Sequence, residues 1–254
     1  MSQAPYSTQE LMIIATAREI ANREVVFIGM RLPITAFGVA TLTRAPDAIG
    51  LFEVGLARRQ PALGTLQTMS DPLNQLGAAW ASGLLQVMGT LPGGRVDAGF
   101  IGGAEIDRFG NVNSSYIGDW RKPKVKLPGS GGAADIAGMA KRMVVIMNHE
   151  KHRFVERVSY ITSPGGLAGG DSRSRAGLPW GGVGAVITDR AILRPFGPER
   201  ELHLASYHPG HSIADVCDHT GWNLKLLPDC APTPEPTAAE IEALHRVDRD
   251  GFWR

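Results

Sequence analysis

Three stretches of the chain gather side chains and amides that can do chemistry. Glu53 directly follows the apolar run Ile49-Gly50-Leu51-Phe52, where a buried strand would ordinarily end in a turn residue, and Gly55 stands close behind it to let the chain bend away. In a parallel α/β sheet, ligands collect beyond the carboxyl ends of the strands. A carboxylate there can serve as a nucleophile, as a general base, or only as a charge near a helix N-terminus, and position alone favours the structural role. The second stretch, Pro128-Gly129-Ser130-Gly131-Gly132-Ala133-Ala134-Asp135-Ile136-Ala137, runs a glycine turn into a short helical pattern. Amides freed by such a turn can hold a developing oxyanion, and losing one such donor typically costs about 3 kcal/mol of transition-state stabilisation. The turn lacks the lysine of a P-loop and the GxGxxG spacing, which disfavours nucleotide binding by either motif. The third, Gly102-Gly103-Ala104-Glu105-Ile106-Asp107-Arg108-Phe109-Gly110-Asn111-Val112-Asn113, is another polar strand end. It reads equally as a functional segment or as an Asp-Arg-Phe-Gly turn in which Asn111 and Asn113 bond the backbone.

These groups need a scaffold, and the apolar pattern supplies one. Ser7 and Glu10 have capping-box spacing, with Ile13, Ala17, Ile20 and Ala21 on one helical face, so a helix starts near Ser7. The run Glu24 to Gly29 suits a strand buried on both faces, and Pro33 can open a second helix. Ala48 to Glu53 reads as a strand, Asp71 to Met88 as a helix capped by Ser70, and Val96 to Ile101 as another strand. Met143 to Met147, Ala185 to Thr188 and Leu202 to Ala205 follow as strands. Ser212 to His219 and Thr237 to Val247 follow as helices, Thr237 and Glu240 repeating the capping-box spacing. This alternation predicts an α/β fold: an open, mostly parallel sheet with helices on both faces. Residues 1–254 are read as one domain, with 228–254 as a carboxyl-terminal linker and helix: Pro228 to Pro236 ties the last helix to the body, and that helix is a candidate to dock on a partner subunit.

A formal net charge of +1 gives no global field for nucleic acid or an anionic membrane, so the partner is expected to be a small molecule or a protein. The two cysteines, Cys217 and Cys230, form no CxxC pair and read as packing residues of a reducing compartment. The stretch Met1 to Glu10 is polar and resembles neither a signal peptide nor a membrane span, so a cytoplasmic location is expected. Asn148-His149-Glu150-Lys151-His152 is not HExxH and has no acidic cluster, so it is read as a solvated strand exit, with no metal expected.

The chain resembles the β subunits of family I CoA transferases, those acting on glutaconate and 3-oxoadipate in particular. The resemblance rests on Phe27-Ile28-Gly29 leading to Leu32-Pro33, on Phe52-Glu53-Val54-Gly55, on Glu105 to Asn113 and on Tyr116-Ile117-Gly118-Asp119. It continues through Lys122 to Ala133, Met147 to Lys151 and Thr188-Asp189 to His208-Pro209-Gly210 and Thr220-Gly221-Trp222. It implies that Glu53 is the nucleophile and that the Gly131 and Gly132 amides are oxyanion donors. It implies further that Gly29, Glu105, Asn111, Gly129, Ser130 and Ala133 contact substrate. Coenzyme A would be a substrate and no cofactor would be tightly bound. An α subunit would supply much of the CoA site in αβ pairs, assembled as α2β2 or larger, acting on an acyl-CoA and a carboxylic acid. A glutamate is ionised at neutral pH and needs no adjacent base.

Two departures from the family pattern stand out. Glu53-Val54-Gly55-Leu56-Ala57-Arg58-Arg59 replaces the usual Glu-Ser-Gly or Glu-Asn-Gly and its apolar continuation, which bears on pocket shape. Glu105 stands where many relatives carry glutamine; a change of substrate choice, admission of water and an ion pair with Arg108 or Lys124 are the alternatives, and the ion pair is the expectation. Two other readings stay open: a hydrolase or ring-cleaving enzyme acting on CoA thioesters on the same scaffold, and a non-catalytic subunit.

Overall fold

The structure, a computed structural model, describes residues 6–178 and 180–254, so Met1 to Pro5 of the polar amino-terminal stretch lie outside the described residues. The chain packs as two compact units, one formed by the part up to Phe100 together with Pro234–Arg254, the other by Ile101–Thr233.

In the first unit, α1 (Thr8–Arg18) starts at the predicted capping box: the Glu10 amide donates to the Ser7 hydroxyl at 3.1 Å, and the Ser7 amide donates to the Glu10 carboxylate at 2.7 Å. Then come β1 (Val25–Ile28), α2 (Leu32–Leu42) with Pro33 in its first turn, β2 (Ile49–Phe52), β3 (Leu56–Arg58), α3 (Pro72–Gln75), β4 (Trp80–Ala81), α4 (Leu84–Met88) and β5 (Ala98–Ile101). β1 is parallel to both of its neighbours, with Val26 opposite Gly50 of β2 and Ala98 of β5. Val26, Phe27, Ile28, Phe52, Ala98 and Phe100 are buried, as continuous apolar runs in a two-sided parallel sheet require. Gly50 is where α2 presses on β2: a Cβ there would lie 2.8 Å from the Phe37 ring. β3 returns antiparallel to β2, and β4 pairs antiparallel with β3.

The helix expected over Asp71 to Met88 does not form as one element. Asp71, not Ser70, precedes the first turn of α3, and its carboxylate turns back to accept from the Gln67 and Thr68 amides. Leu76 is extended and Gly77 sits at φ +72°, which stops the helix before β4; a new helix begins only after Gly83.

The second unit contains β6 (Glu105–Asp107), β7 (Val112–Asn113), β8 (Tyr116–Asp119), β9 (Lys122–Lys126), α5 (Ala133–Met139), β10 (Arg142–Ile146), β11 (Phe154–Val155), α6 (Ser172–Arg175), β12 (Val183–Ile187), β13 (Ala191–Phe196), β14 (Glu201–Tyr207), α7 (Ile213–Asp218) and β15 (Lys225–Pro232). β10 runs parallel to β12 and β14 parallel to β15, while β13 is antiparallel to both of its neighbours. The expected α/β class, with a mostly parallel sheet, is what forms. The stretch Pro228 to Pro236, read as a linker, belongs to β15 as far as Pro232. Its prolines are tolerated because β15 is an edge strand and its register jumps from Leu226 to Ala231, leaving Pro228 out of the ladder.

The chain then returns to the first unit as α8 (Ala238–Val247), which has a second capping box between Thr237 and Glu240. Its apolar face is not free for a partner. Ala243, Leu244 and Val247 are buried, and Gly38 of α2 comes so close that a Cβ on it would lie 2.7 Å from the Val247 side chain. Arg18 of α1 fixes the approach, pairing with Glu240 at 2.8 Å and donating to the Pro234 carbonyl at 2.7 Å.

Candidate functional site

In the first unit, β2 and β3 form a hairpin closed by the three residues Glu53-Val54-Gly55, with Phe52 opposite Leu56. Loops of this length place a glycine last, in left-handed conformation. Gly55 has φ +96°, and its amide donates to the Phe52 carbonyl at 2.9 Å. A Cβ on Gly55 would stand 2.3 Å from the Ser82 carbonyl oxygen, and the Ser82 amide donates to the Gly55 carbonyl at 2.8 Å. The Glu-x-Gly spacing therefore has a steric cause on two counts. Glu53 opens this loop half-buried, and its carboxylate has no hydrogen bond or ion pair among the described residues. Because Ile28 of β1 pairs in parallel with Phe52, Gly29 lies alongside Glu53, both just beyond the carboxyl ends of their strands. The chain after Gly29 holds Arg31 at φ +73°, a left-handed conformation that an arginine adopts at a cost.

The Arg58 of the departing segment turns inward and is buried. Its guanidinium donates to the carbonyls of Gln60 at 3.0 Å, Leu76 at 2.7 Å and Asn74, and burial pulls its pKa down. It clamps the excursion between β3 and β4 and presents no free charge to solvent.

In the second unit, the glycine turn is pinned at both ends. Leu127 and Gly129 donate to the carbonyls of Ser115 and Ser114 at 3.0 and 2.7 Å, and the Ala133 amide donates to the Ser130 carbonyl at 2.9 Å. The amides of Ser130, Gly131 and Gly132 have no acceptor among the described residues. Gly129 and Gly131 take φ +104° and +48°, and a Cβ on either would meet nothing within 4 Å. Ser130 and Gly131 are exposed and Gly132 is buried, so the turn has unspent donors at and just beneath its surface, among them the Gly131 and Gly132 amides singled out from the sequence.

Glu105 and Asn111 are occupied differently. Glu105 is buried, and its carboxylate accepts from Asn113 Nδ2 at 2.7 Å and from the Ser159 amide at 3.4 Å. The expected pairing with Arg108 or Lys124 is not made. Arg108 instead pairs with Glu156 at 2.9 Å, because the β6–β7 hairpin puts Glu105 directly opposite Asn113. Asn111 donates to both Asp107 carboxylate oxygens and to the Leu167 carbonyl, and accepts the Gly165 and Leu167 amides, each at 2.9 Å. Every hydrogen-bonding atom of the Asn111 amide is spent on tying the Asp107 turn to the Gly165 and Leu167 backbone. Burial raises the Asp107 carboxyl pKa, and the Asn111 side chain and the Asn111 and Phe109 amides oppose that rise.

His149 is not on a solvated strand exit. It is fully buried, with Nδ1 3.2 Å from the Thr188 hydroxyl, Nε2 3.0 Å from the Thr220 hydroxyl and its ring stacked on Phe154 at 3.8 Å. Burial, and then the Arg190 charge, pushes its pKa down to about 3. His208 bonds the Thr188 carbonyl at 2.8 Å and the Thr233 hydroxyl at 2.9 Å, and burial lowers its pKa to about 4. The scattered stretches around His149, Thr188-Asp189, His208 and Thr220 thus meet in one internal network. Thr233 joins it unseen, since a lone threonine in a proline-rich stretch gives no signal. Among the described residues no group of His, Cys, Asp or Glu is arranged to hold a metal.

Comparison with known proteins shows the family and the fold. Residues 9–219 match the Coenzyme A transferase family. The chain is 39% identical, over 96% of its length and 94% of the relative's, to the β subunit of 3-oxoadipate CoA-transferase from Pseudomonas knackmussii. It is 37% identical to the β subunit of glutaconate CoA-transferase from Acidaminococcus fermentans, over 87% of this chain and 85% of the other. The crystal structure of glutaconate coenzyme A-transferase from Acidaminococcus fermentans superposes with a TM-score of 0.91 at 32% identity, covering 98% of this chain and 97% of that one. The chain belongs to the coenzyme A transferase family.

Proposed function

We propose that this CoA transferase moves CoA from an acyl-CoA to a carboxylic acid, dicarboxylic or 3-oxo, through a glutamyl-CoA thioester on Glu53. The observation that carries the reading is the Glu53 carboxylate, half-exposed and unpartnered just past a buried parallel strand. A carboxylate oxygen of Glu53 attacks the thioester carbonyl, the C–S bond breaks, and CoA leaves as thiolate from an acyl-glutamyl anhydride. The thiolate then attacks the Glu53 carbonyl of that anhydride, releasing the donor acid as its carboxylate and leaving CoA on Glu53. The acceptor carboxylate takes the same two steps in reverse, and Glu53 is regenerated. Each tetrahedral intermediate carries an oxyanion, for which the free Gly131 and Gly132 amides are the proposed donors. Gly29, Gly129, Ser130 and Ala133 are the proposed substrate contacts, the Gly129 and Ala133 amides being already bonded to the Ser114 and Ser130 carbonyls. Glu105 and Asn111, buried and hydrogen-bonded, are proposed to act on substrate only through the β6–β7 hairpin that they hold.

Both intermediates are activated toward water, so the pocket must exclude it. The chain acts with an α subunit in αβ pairs or larger assemblies, a reading supported by relatives that are each one subunit of a larger enzyme. The free Cys217 and Cys230 suit a reducing, cytoplasmic setting. The test is to incubate the two-subunit complex with acyl-CoA and no acceptor, and then to weigh the peptide carrying Glu53. A mass increase equal to CoA is expected. Consumption of acyl-CoA without an adduct on intact Glu53 would replace transfer by hydrolysis.

A further inference from the structure

The hairpin of β8 and β9 carries more positive charge than it neutralises. Arg121, Lys122, Lys124 and Lys126 stand against a single acid, Asp119, whose Oδ1 is used to close the turn by accepting the Arg121 amide at 2.8 Å. The three lysines are exposed, and none has an ion-pair partner among the described residues. The register breaks so that Lys124 is opposed by no residue, and its stem crosses Gly118, where a Cβ would lie 3.3 Å from Lys124 Cγ. Trp120 and Val125 are exposed beside these cations, and the Arg121 guanidinium lies 4.8 Å from the centre of the Trp120 ring. Like charges crowded on a two-stranded ribbon repel one another, so the ribbon is electrostatically incomplete and fits a polyanion.

β9 runs straight into the pinned glycine turn, so one anchored stretch of chain holds both the lysines and the free Gly131 and Gly132 amides. If a thioester carbonyl rests on those amides, the pantetheine arm of CoA holds its diphosphate and 3′-phosphate well away from the reacting carbon. An extended strand rising about 3.3 Å per residue covers such a span in a few residues. We propose that Lys122, Lys124 and Lys126 bind the phosphates at the nucleotide end of acyl-CoA and take no part in bond making. The proposal rests on the reading that acyl-CoA is the donor.

The experiment compares acyl-CoA with the matching acyl-pantetheine, which lacks the nucleotide, on the complex carrying K122A, K124A and K126A together. The expected result is a KM for acyl-CoA raised by about tenfold or more and less dependent on salt, with kcat and the behaviour toward acyl-pantetheine unchanged. Lysine-to-arginine replacement at the same positions should restore the KM. Equal effects on both substrates, or no effect on acyl-CoA, would overturn the proposal. So would loss of the α subunit from the purified variant, which would make the hairpin a protein interface. Equilibrium binding of free CoA against pantetheine to the wild type and the triple variant reads the same difference without turnover. Failure of the Glu53 adduct in the wild type therefore strikes the transfer reading, while loss of the CoA-over-pantetheine preference strikes the lysines.

Discussion

Glu53 leaves β2 with a half-exposed carboxylate that nothing in the described chain engages, whereas Glu105 opens β6 with a buried carboxylate held by Asn113 and the Ser159 amide. Both are candidates in the sequence. The difference follows from what burial demands: a carboxylate withdrawn from water must be hydrogen-bonded, and once bonded it is no longer free to attack. The same division separates the spent Asn111 side chain from the unspent Gly131 and Gly132 amides. Groups with a full set of partners hold the fold, and groups left with unused hydrogen-bonding capacity are available to a substrate.

The largest effect that this contrast predicts is on rate. Glu53→Gln keeps the size of the side chain and removes the nucleophile, so transfer should fall by at least about 10³-fold and the CoA adduct should vanish from the Glu53 peptide. Because the lost carboxylate has no partner, thermal stability should stay within about 0.5 kcal/mol of the parent. Steady-state transfer and a melting curve on the same preparation check both halves. A variant that keeps its activity would erase the distinction between the two glutamates.

A second test addresses the fully partnered side of the contrast. His149 and His208 have pKa values pushed down to about 3 and about 4, so the folded chain refuses protons that the unfolded chain accepts below about pH 6.5. Their contribution to stability is complete above that pH. It is lost as pH falls toward the folded values, with a slope of up to about 1.4 kcal/mol per pH unit for each imidazole. Urea midpoints taken from pH 7 to pH 5 should drop accordingly, and His149→Gln should flatten the slope. If His149 were in reach of substrate, its replacement would instead reshape the pH–rate profile while leaving the stability slope intact.

Much of this is legible in the sequence because the relevant signals are local. The capping boxes at Ser7 and Thr237, the apolar run ending at Phe52 and the glycine two residues beyond Glu53 each encode geometry within a few residues. What is not legible depends on contacts distant in sequence. Nothing near Glu105 announces that Asn113 and Ser159 will satisfy it, and Arg58, in the sequence only part of a departure that bears on pocket shape, proves to be an internal clamp through the carbonyls of Asn74 and Leu76. His149 reads as solvated because its partners Thr188 and Thr220 lie far along the chain. The helix expected over Asp71 to Met88 fails for a local reason that its apolar pattern hides, the left-handed Gly77.

The smallest predicted effect is the sharpest test of the contrast. Glu105→Gln keeps an oxygen that can accept from Asn113 Nδ2 and removes only the charge, so the cost should be about 1 kcal/mol or less, with transfer within about twofold of the parent. Glu105→Ala leaves Asn113 Nδ2 with the Tyr116 carbonyl alone, and should cost about 2 kcal/mol while still forming the Glu53 adduct. Denaturant midpoints and the adduct assay separate the two variants. Had Glu105 a part in the chemistry, the glutamine variant would lose activity without losing stability, the reverse of what its buried hydrogen bonds require.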